Sequence, residues 1–180
     1  MGQYYRPVLF YGEKTTIYNR DVDENYTMAK LLEHSWWENP LMNAISDKLY
    51  QKKSRLIWCG DYAEDEEVAM TNLTVKDIWD CDGEGVKSTD FRIDNLYLCN
   101  HELQEYIDLS KYKKNCIDND GWVIHPLSLL TAIGNGRGGG DYHDCYPNAD
   151  KVGIWAWNLI SLEEKVPENY VEYEIIFKES

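Results

Sequence analysis

Short apolar segments rich in β-branched and aromatic residues open the chain. Residues 4–11 and 15–19 carry such segments on the two sides of Gly12, a pattern that predicts two strands joined as a hairpin. Pro7 has no backbone N–H to donate to a neighbouring strand, so it favours an edge position for the first strand. The N-terminal region is therefore predicted to contribute a β-hairpin.

Apolar residues then recur at helical spacing over residues 27–49, on both sides of Asn39-Pro40. A proline interrupts a helix, so this region predicts two helices or one bent helix. Residues 55–59 form an apolar run that ends at Gly60-Asp61, which is typical of a strand followed by a turn. Thr74 is a suitable N-cap for a short helix that reaches Trp79.

The C-terminal half adds further strand patterns. Residues 96–109 alternate around a polar centre and predict a hairpin, whereas residues 122–133 are apolar but interrupted by Pro126 and predict a strand and a turn. Residues 152–159 and 171–177 predict two more strands. We therefore expect one α+β domain over residues 1–180, with a mainly antiparallel sheet and two or three helices.

Composition limits the classes of function. The chain has 180 residues, of which 43% are hydrophobic, so it can fill a core. Its net charge of −14 argues against direct binding to nucleic acid or to an anionic membrane, and favours a basic protein surface as partner. No apolar run approaches the length of a membrane-spanning helix, and the five scattered cysteines suit free thiols in a reducing cytoplasm. We expect a cytoplasmic protein with no membrane partner.

A glycine-rich segment is the most distinctive local feature. Five glycines surround Arg137, and successive backbone amides of such a loop can hold a phosphate while an arginine adds a bidentate contact. Neither the Rossmann nor the P-loop fingerprint matches, and an ordered surface loop with Arg137 paired to a carboxylate is the alternative. The candidate ligand-binding residues are Gly134, Asn135, Gly136, Arg137, Gly138, Gly139, Gly140, Asp141, Tyr142 and His143.

Metal-binding and catalytic patterns are incomplete. Cys99 with His101 and His143 with Cys145 lack the usual zinc spacing, and the calcium-like turn at residues 80–85 has Phe91 where a glutamate ligand is required. A nucleophilic site would need Cys145 to meet His125 or His34 and then Asp141 or Asp61. We assign no catalytic residue, metal ligand or cofactor.

Two tryptophan pairs could stack on a ligand, but core packing is the simpler interpretation. One is Trp36-Trp37, and the other is Trp155 with Trp157, which would share one face of a strand.

Acidic residues cluster in the middle of the chain. Such a run is usually a solvated face. Its carboxylates can also imitate nucleic-acid phosphates and occupy the basic groove of a nucleic-acid enzyme. Tyrosines add rigid contact area to such an interface. The candidate partner-binding residues are Glu64, Asp65, Glu66, Glu67, Asp80, Asp82 and Glu84.

Several segments resemble a family of small proteins encoded by gut Firmicutes and their phages. They are the start MGQYYRPVL, LLEHSWW, WCGDYA, LYLCNHELQEYIDL, IHPLSLLTAIGNGRGGGDY and VGIWAWNLIS. The resemblance attaches no activity to them, and in general character the chain is similar to anti-CRISPR and other anti-defence proteins.

Three functions remain open at this point. We expect a non-enzymatic acidic protein that inhibits a nucleic-acid-targeting defence enzyme through a negatively charged, tyrosine-rich surface. The first alternative is a protein, or a hydrolase, that binds a nucleotide or phosphate metabolite at Gly134–Gly140 with Arg137. The second alternative is a structural interaction module of the host cell.

Overall fold

A computed structural model describes residues 1–12, 14–21, 30–87 and 89–179. Within these ranges the fold is α+β, and its strands form a nine-stranded sheet. Along the sheet the order is β4-β2-β1-β3-β8-β5-β6-β9, and β7 pairs with β3 outside this path. The strands are β1 (Tyr5–Tyr11), β2 (Lys14–Asp21), β3 (Ser54–Gly60), β4 (Glu84–Val86), β5 (Tyr97–Asn100), β6 (Glu105–Asp108), β7 (Ala132–Ile133), β8 (Leu159–Glu163) and β9 (Val171–Glu172).

The predicted N-terminal hairpin is confirmed, because β1 and β2 pair antiparallel from Val8↔Ile17 to Tyr11↔Lys14. The edge position predicted from Pro7 is wrong, since β1 also pairs antiparallel with β3 from Tyr5 to Phe10. Pro7 is tolerated there because the pairs with β2 begin only at the next residue.

The sheet is mixed, which corrects the expectation of a mainly antiparallel one. The hairpin β5–β6 and the antiparallel pairs of β8 with β3 and β5 follow the expectation. Three short strands, however, pair parallel to their neighbours: β4 with β2, β7 with β3 and β9 with β6. Each joins its neighbour after a long connection, which permits the parallel direction that a tight turn forbids.

The described residues also contain more helices than the two or three predicted. Asn39 caps α2 by accepting the N–H of Leu41 (2.8 Å), and Thr74 caps α3 as predicted. None of the described helices is long and apolar enough to cross a membrane. The helices are α1 (Leu31–His34), α2 (Pro40–Leu49), α3 (Val75–Asp80), α4 (Leu109–Cys116) and α5 (Pro126–Leu130), with 3-10 helices at Asp65–Thr71 and Ala149–Lys151.

The described residues form two hydrophobic cores, one on each face of the sheet. Adjacent strand residues point to opposite faces, and Leu9 belongs to the larger core whereas Val8 belongs to the smaller one. Helices α2, α4 and α5 contribute to the larger core. Val68 of the first 3-10 helix and Ile78 of α3 complete the smaller core, so the acidic middle of the chain forms the outer layer over it.

Three sequence predictions in the C-terminal half are wrong in detail. Residues 152–157 form turns instead of a strand, and the positive φ angles of Gly153 (83°) and Trp157 (70°) are incompatible with extended backbone. Pro126 begins α5 because a proline is well placed in the first helical turn. Of the strand predicted at 171–177, only β9 forms.

Candidate functional site

The glycine-rich loop that follows β7 holds the N-terminus of its own chain. The N–H of Gln3 donates to the carbonyl of Gly139 (2.9 Å), and the N–H of Gly139 donates to the carbonyl of Met1 (3.1 Å). Gly2 and Gly139 form the corresponding parallel bridge. One partner of this loop is therefore residues 1–3.

Several glycines exist at this place because the Gln3 side chain occupies the space that their side chains would need. Gln3 is fully buried. A Cβ atom on Gly138 would lie 2.4 Å from the Cβ of Gln3, and one on Gly60 would lie 2.1 Å from its Nε2. Gly134 also has a φ of +85°, which side chains rarely adopt. The glycine density thus has a packing cause.

The backbone amides that could hold a phosphate already hold an internal carboxylate. Asp141 Oδ2 accepts the N–H groups of Gly136 (2.8 Å), Arg137 (3.0 Å) and Gly138 (3.0 Å). Its Oδ1 accepts the hydroxyl of Tyr5 (2.8 Å), and the carboxylate is fully buried. Burial raises the pKa of Tyr5, and the charge of Asp141 raises it further, so Tyr5 stays a neutral donor. The backbone amides of the loop form an anion-binding nest, and the carboxylate of Asp141 from the same loop occupies it.

Arg137 points back to the first 3-10 helix. Its guanidinium makes a two-pronged ion pair with Glu67 (2.7 and 3.1 Å) and donates to the carbonyl of Tyr62 (3.0 Å). This is the internal pairing that the surface-loop alternative predicts. The pair is exposed, so its contribution to stability is only about 0–1 kcal/mol.

An open cleft of about 690 Å³ lies beside the loop. Its lining includes Glu67, Gly134, Gly136, Tyr142, His143, Asp144 and Cys145. Asn135 lines it too, but its side chain is engaged, because it donates to the carbonyl of Tyr142 (2.9 Å) and accepts the N–H of the same residue (3.0 Å). Of the ten predicted ligand residues, five therefore line the cleft: Gly134, Asn135, Gly136, Tyr142 and His143.

The candidate catalytic and metal-binding side chains lie in different surroundings. His125 is fully buried and caps α5 by accepting the N–H of Leu127 (3.1 Å), and burial lowers its pKa to about 3. Cys145, by contrast, is exposed. His101 is hydrogen-bonded to Tyr170 (2.7 Å) and Ser161 (2.7 Å), so it joins β8 to the segment before β9. Within the described ranges no group of three or more His, Cys, Asp or Glu side chains is arranged to hold a metal ion.

The acidic layer, defined as residues 64–86, covers the smaller core. It contains eight carboxylates and one lysine, so about half of the net charge of −14 lies in this layer. Residues 64–86 contain no tyrosine, so the expected tyrosine-rich surface does not coincide with this layer. Tyr5, Tyr112 and Tyr142 lie in the larger core. Tyr62, next to the layer, is 36% exposed.

Most of the predicted partner-binding carboxylates also have a local structural role. Glu64 and Glu67 form a reciprocal cap at the first 3-10 helix, and Asp65 accepts the N–H of Val75 (2.9 Å). Asp80 pairs with Lys76, and Glu84 pairs with Lys14 (3.3 Å). Glu66 and Asp82 are exposed and make no ion pair or hydrogen bond with the side chains that the structure describes.

The sequence predictions named Trp36 as a possible stacking residue but missed Trp122, with which it forms an aromatic surface. Trp122 is 54% exposed and meets the half-buried Trp36 edge to face, with 5.5 Å between ring centroids. Trp122 directly follows the polar turn Asp118–Gly121, and this polar context is the signal that the sequence offered.

Comparison with known proteins assigns no relative to the chain. No family model matches it, and neither a curated protein nor a solved structure matches it. The contacts and charges described above are therefore the basis of a functional conclusion.

Proposed function

We propose that the protein is a non-enzymatic binding protein whose acidic layer occupies a basic surface of a cytoplasmic nucleic-acid-targeting enzyme and inhibits it. The observation that carries the proposal is the concentration of charge: eight carboxylates with a single lysine lie on one outer layer. Glu64, Asp65, Glu66, Asp80, Asp82 and Glu84 are all exposed there.

The layer suits this role because some of its carboxylates are held in place before binding, whereas Glu66 and Asp82, unpaired among the described residues, stay free to pair with a partner. Caps and local pairs fix Glu64, Asp65 and Glu67 at the start of the first 3-10 helix. Fixed charges lose little conformational freedom on association. A concentrated negative potential also accelerates encounter with a basic partner, and added salt screens this effect.

The nucleotide-binding alternative stays a prediction with less support. It requires free amides at residues 136–138, and these amides donate to Asp141. The structural-module alternative has no specific observation in its favour.

The test is capture of a partner from a nuclease-treated Firmicutes lysate, followed by assay of the captured enzyme. We expect an enzyme that is retained at low salt, released at high salt, and inhibited stoichiometrically by the purified protein. The variant Glu66→Lys/Asp82→Lys should weaken the complex about tenfold or more, since both side chains are exposed and unpaired within the described structure.

The matched control is Asp47→Lys/Glu168→Lys, which makes the same change of charge at exposed positions outside the acidic layer. It should bind as the unmodified protein does. Equal weakening by both variants would show a dependence on net charge alone, and a captured enzyme whose activity is unchanged would contradict the inhibitor role.

A further inference from the structure

Trp122 stands at the boundary of two neighbouring surface grooves. They have volumes of about 460 and 510 Å³ and share Trp36, Trp122 and Val123 in their linings. An exposed tryptophan of this kind offers a large flat ring to a partner. We refer to the groove of about 460 Å³ as the acidic groove, because its lining also includes Glu33, Asp118, Asp120 and Glu179.

Hydrogen bonds fix the backbone at Trp122, and the edge-to-face contact with Trp36 restricts its ring. Asp118 Oδ1 accepts the N–H groups of Asp120 (2.9 Å) and Trp122 (2.7 Å), and the N–H of Asp118 donates to the carbonyl of Trp122 (2.9 Å). The next residues join the fold through the bridge between Ile124 and Trp36. A ring held in this way needs little ordering when a ligand binds.

The charges around the ring favour a cation. Among the described residues that line the acidic groove, none is a lysine or an arginine. Glu33 is already paired with Lys30 (2.8 Å). Asp120 and Glu179, in contrast, have no ion pair with any residue that the structure describes, so the negative charge of the groove is only partly compensated.

In the neighbouring groove of about 510 Å³, a cation of the chain itself already lies over an indole ring and pairs with a carboxylate. Lys113 lines that groove, and its Nζ lies 5.3 Å from the centroid of the Trp37 ring while it pairs with Asp94 (3.0 Å). A cation over an indole, paired with a carboxylate, is thus present beside the acidic groove. In the acidic groove the indole and the carboxylates are present, and the cation has to come from a partner.

We propose that the acidic groove binds an arginine side chain of a basic protein segment. The planar guanidinium stacks on the Trp122 ring and pairs with Asp120 and Glu179, a combination that suits arginine better than lysine because guanidinium is planar and weakly hydrated. None of the lining residues belongs to the acidic layer. The site is therefore independent of the proposed function.

The test is an NMR titration with the blocked peptide Gly-Arg-Gly-Arg-Gly and its citrulline analogue, which keeps the shape but lacks the charge. The arginine peptide should shift the indole N–H resonance of Trp122, and the citrulline peptide should leave it unchanged. Both Trp122→Ala and Trp122→Phe lack this indole, so their binding is followed at the backbone N–H resonance of Val123, which lines the same groove. Trp122→Ala should weaken binding about tenfold, and Trp122→Phe should retain most of it.

Asp120→Asn/Glu179→Gln should also weaken binding at low salt, with a smaller loss at high salt. The control Glu66→Gln/Asp82→Asn removes two charges from the acidic layer and should leave peptide binding unchanged. These amide variants keep side-chain size, so the test does not depend on Trp122→Ala folding.

Three results would overturn the proposal. Equal binding of the citrulline peptide would exclude recognition of charge. Displacement of the Trp122 resonance by a neutral cello-oligosaccharide but not by the arginine peptide would identify a sugar-binding platform. Self-association that is abolished in Trp122→Ala would identify a second copy of the chain as the occupant.

Discussion

The buried carboxylate of Asp141 should contribute a large share of the stability of the glycine-rich loop. It accepts three backbone N–H groups and one tyrosine hydroxyl, and it is fully buried. We therefore consider Asp141→Asn, which keeps the shape of the side chain but removes the charge.

The expected cost follows from these contacts. A hydrogen bond to a charged group contributes about 1.5–3 kcal/mol, against about 0.5–1.5 kcal/mol for a neutral one. Three amides at about 1 kcal/mol each give a loss of about 3 kcal/mol, and the new amide must also face the hydroxyl of Tyr5. Burial, and to a smaller extent the charge of Asp141, raises the pKa of Asp61, so relief of that repulsion returns a small part of the loss.

Urea unfolding followed by tryptophan fluorescence measures this loss directly. The midpoint should fall at an unchanged slope, and the melting temperature should drop by about 6–12 °C for a chain of this size. The control Asp144→Asn changes an exposed carboxylate that makes no ion pair or hydrogen bond within the described structure, and it should stay within about 0.5 kcal/mol. A loss below about 0.5 kcal/mol for Asp141→Asn would refute the internal nest.

Two further predictions concern packing and pH. Gly138→Ala should lower the free energy of unfolding by about 1–3 kcal/mol in the same assay, because the added Cβ atom would overlap Gln3. In Gly139→Ala the added Cβ atom meets no atom closer than 3.6 Å, so this control should be tolerated. Equal losses of stability in the two variants would contradict the packing account. Burial lowers the pKa of His125 to about 3. Below a pH of about 6.5, His125 therefore binds a proton in the unfolded chain but stays neutral in the native state. The free energy of unfolding should then fall relative to His125→Asn, by at most about 1.4 kcal/mol per pH unit, and parallel pH profiles of the two proteins would exclude this linkage.

The elements predicted correctly are those whose start or end depends on a single turn, break or cap residue. Gly12 permits a tight turn, the break at Asn39-Pro40 separates two helices, and Thr74 caps a further one, and each of these predictions is confirmed. Pro126 was misinterpreted because a proline both interrupts a helix and suits its first turn, and the following residues do not distinguish the two roles strongly.

The failure at residues 152–157 has a different cause. Trp155 is buried in the larger core, and Trp157 packs against the smaller one. Residues two apart in a strand would share one face, so the expected common face of Trp155 and Trp157 is wrong: the turns direct the two rings to different cores. The parallel pairs of β4, β7 and β9 likewise depend on distant neighbours, which no local pattern specifies.

The glycine-rich segment is a loop, as its glycine density indicates, but its internal partners were not predicted. Its role as a ligand-binding site stays a prediction. The sequence could not indicate that Gln3 fills the space beside Gly138 or that the carboxylate of Asp141 turns back on the loop amides, because both contacts need the three-dimensional fold. The exposure of Trp122 was recognisable only from its polar neighbours.

The most direct test of the acidic layer as a binding surface is the affinity of the captured enzyme measured against salt concentration. From about 0.1 M to about 1 M salt the screening length falls from about 10 Å to about 3 Å. We predict a steep loss of affinity for the unmodified protein and a much shallower one for Glu66→Lys/Asp82→Lys. An affinity that does not change with salt, or identical slopes for the two proteins, would contradict binding through the acidic layer.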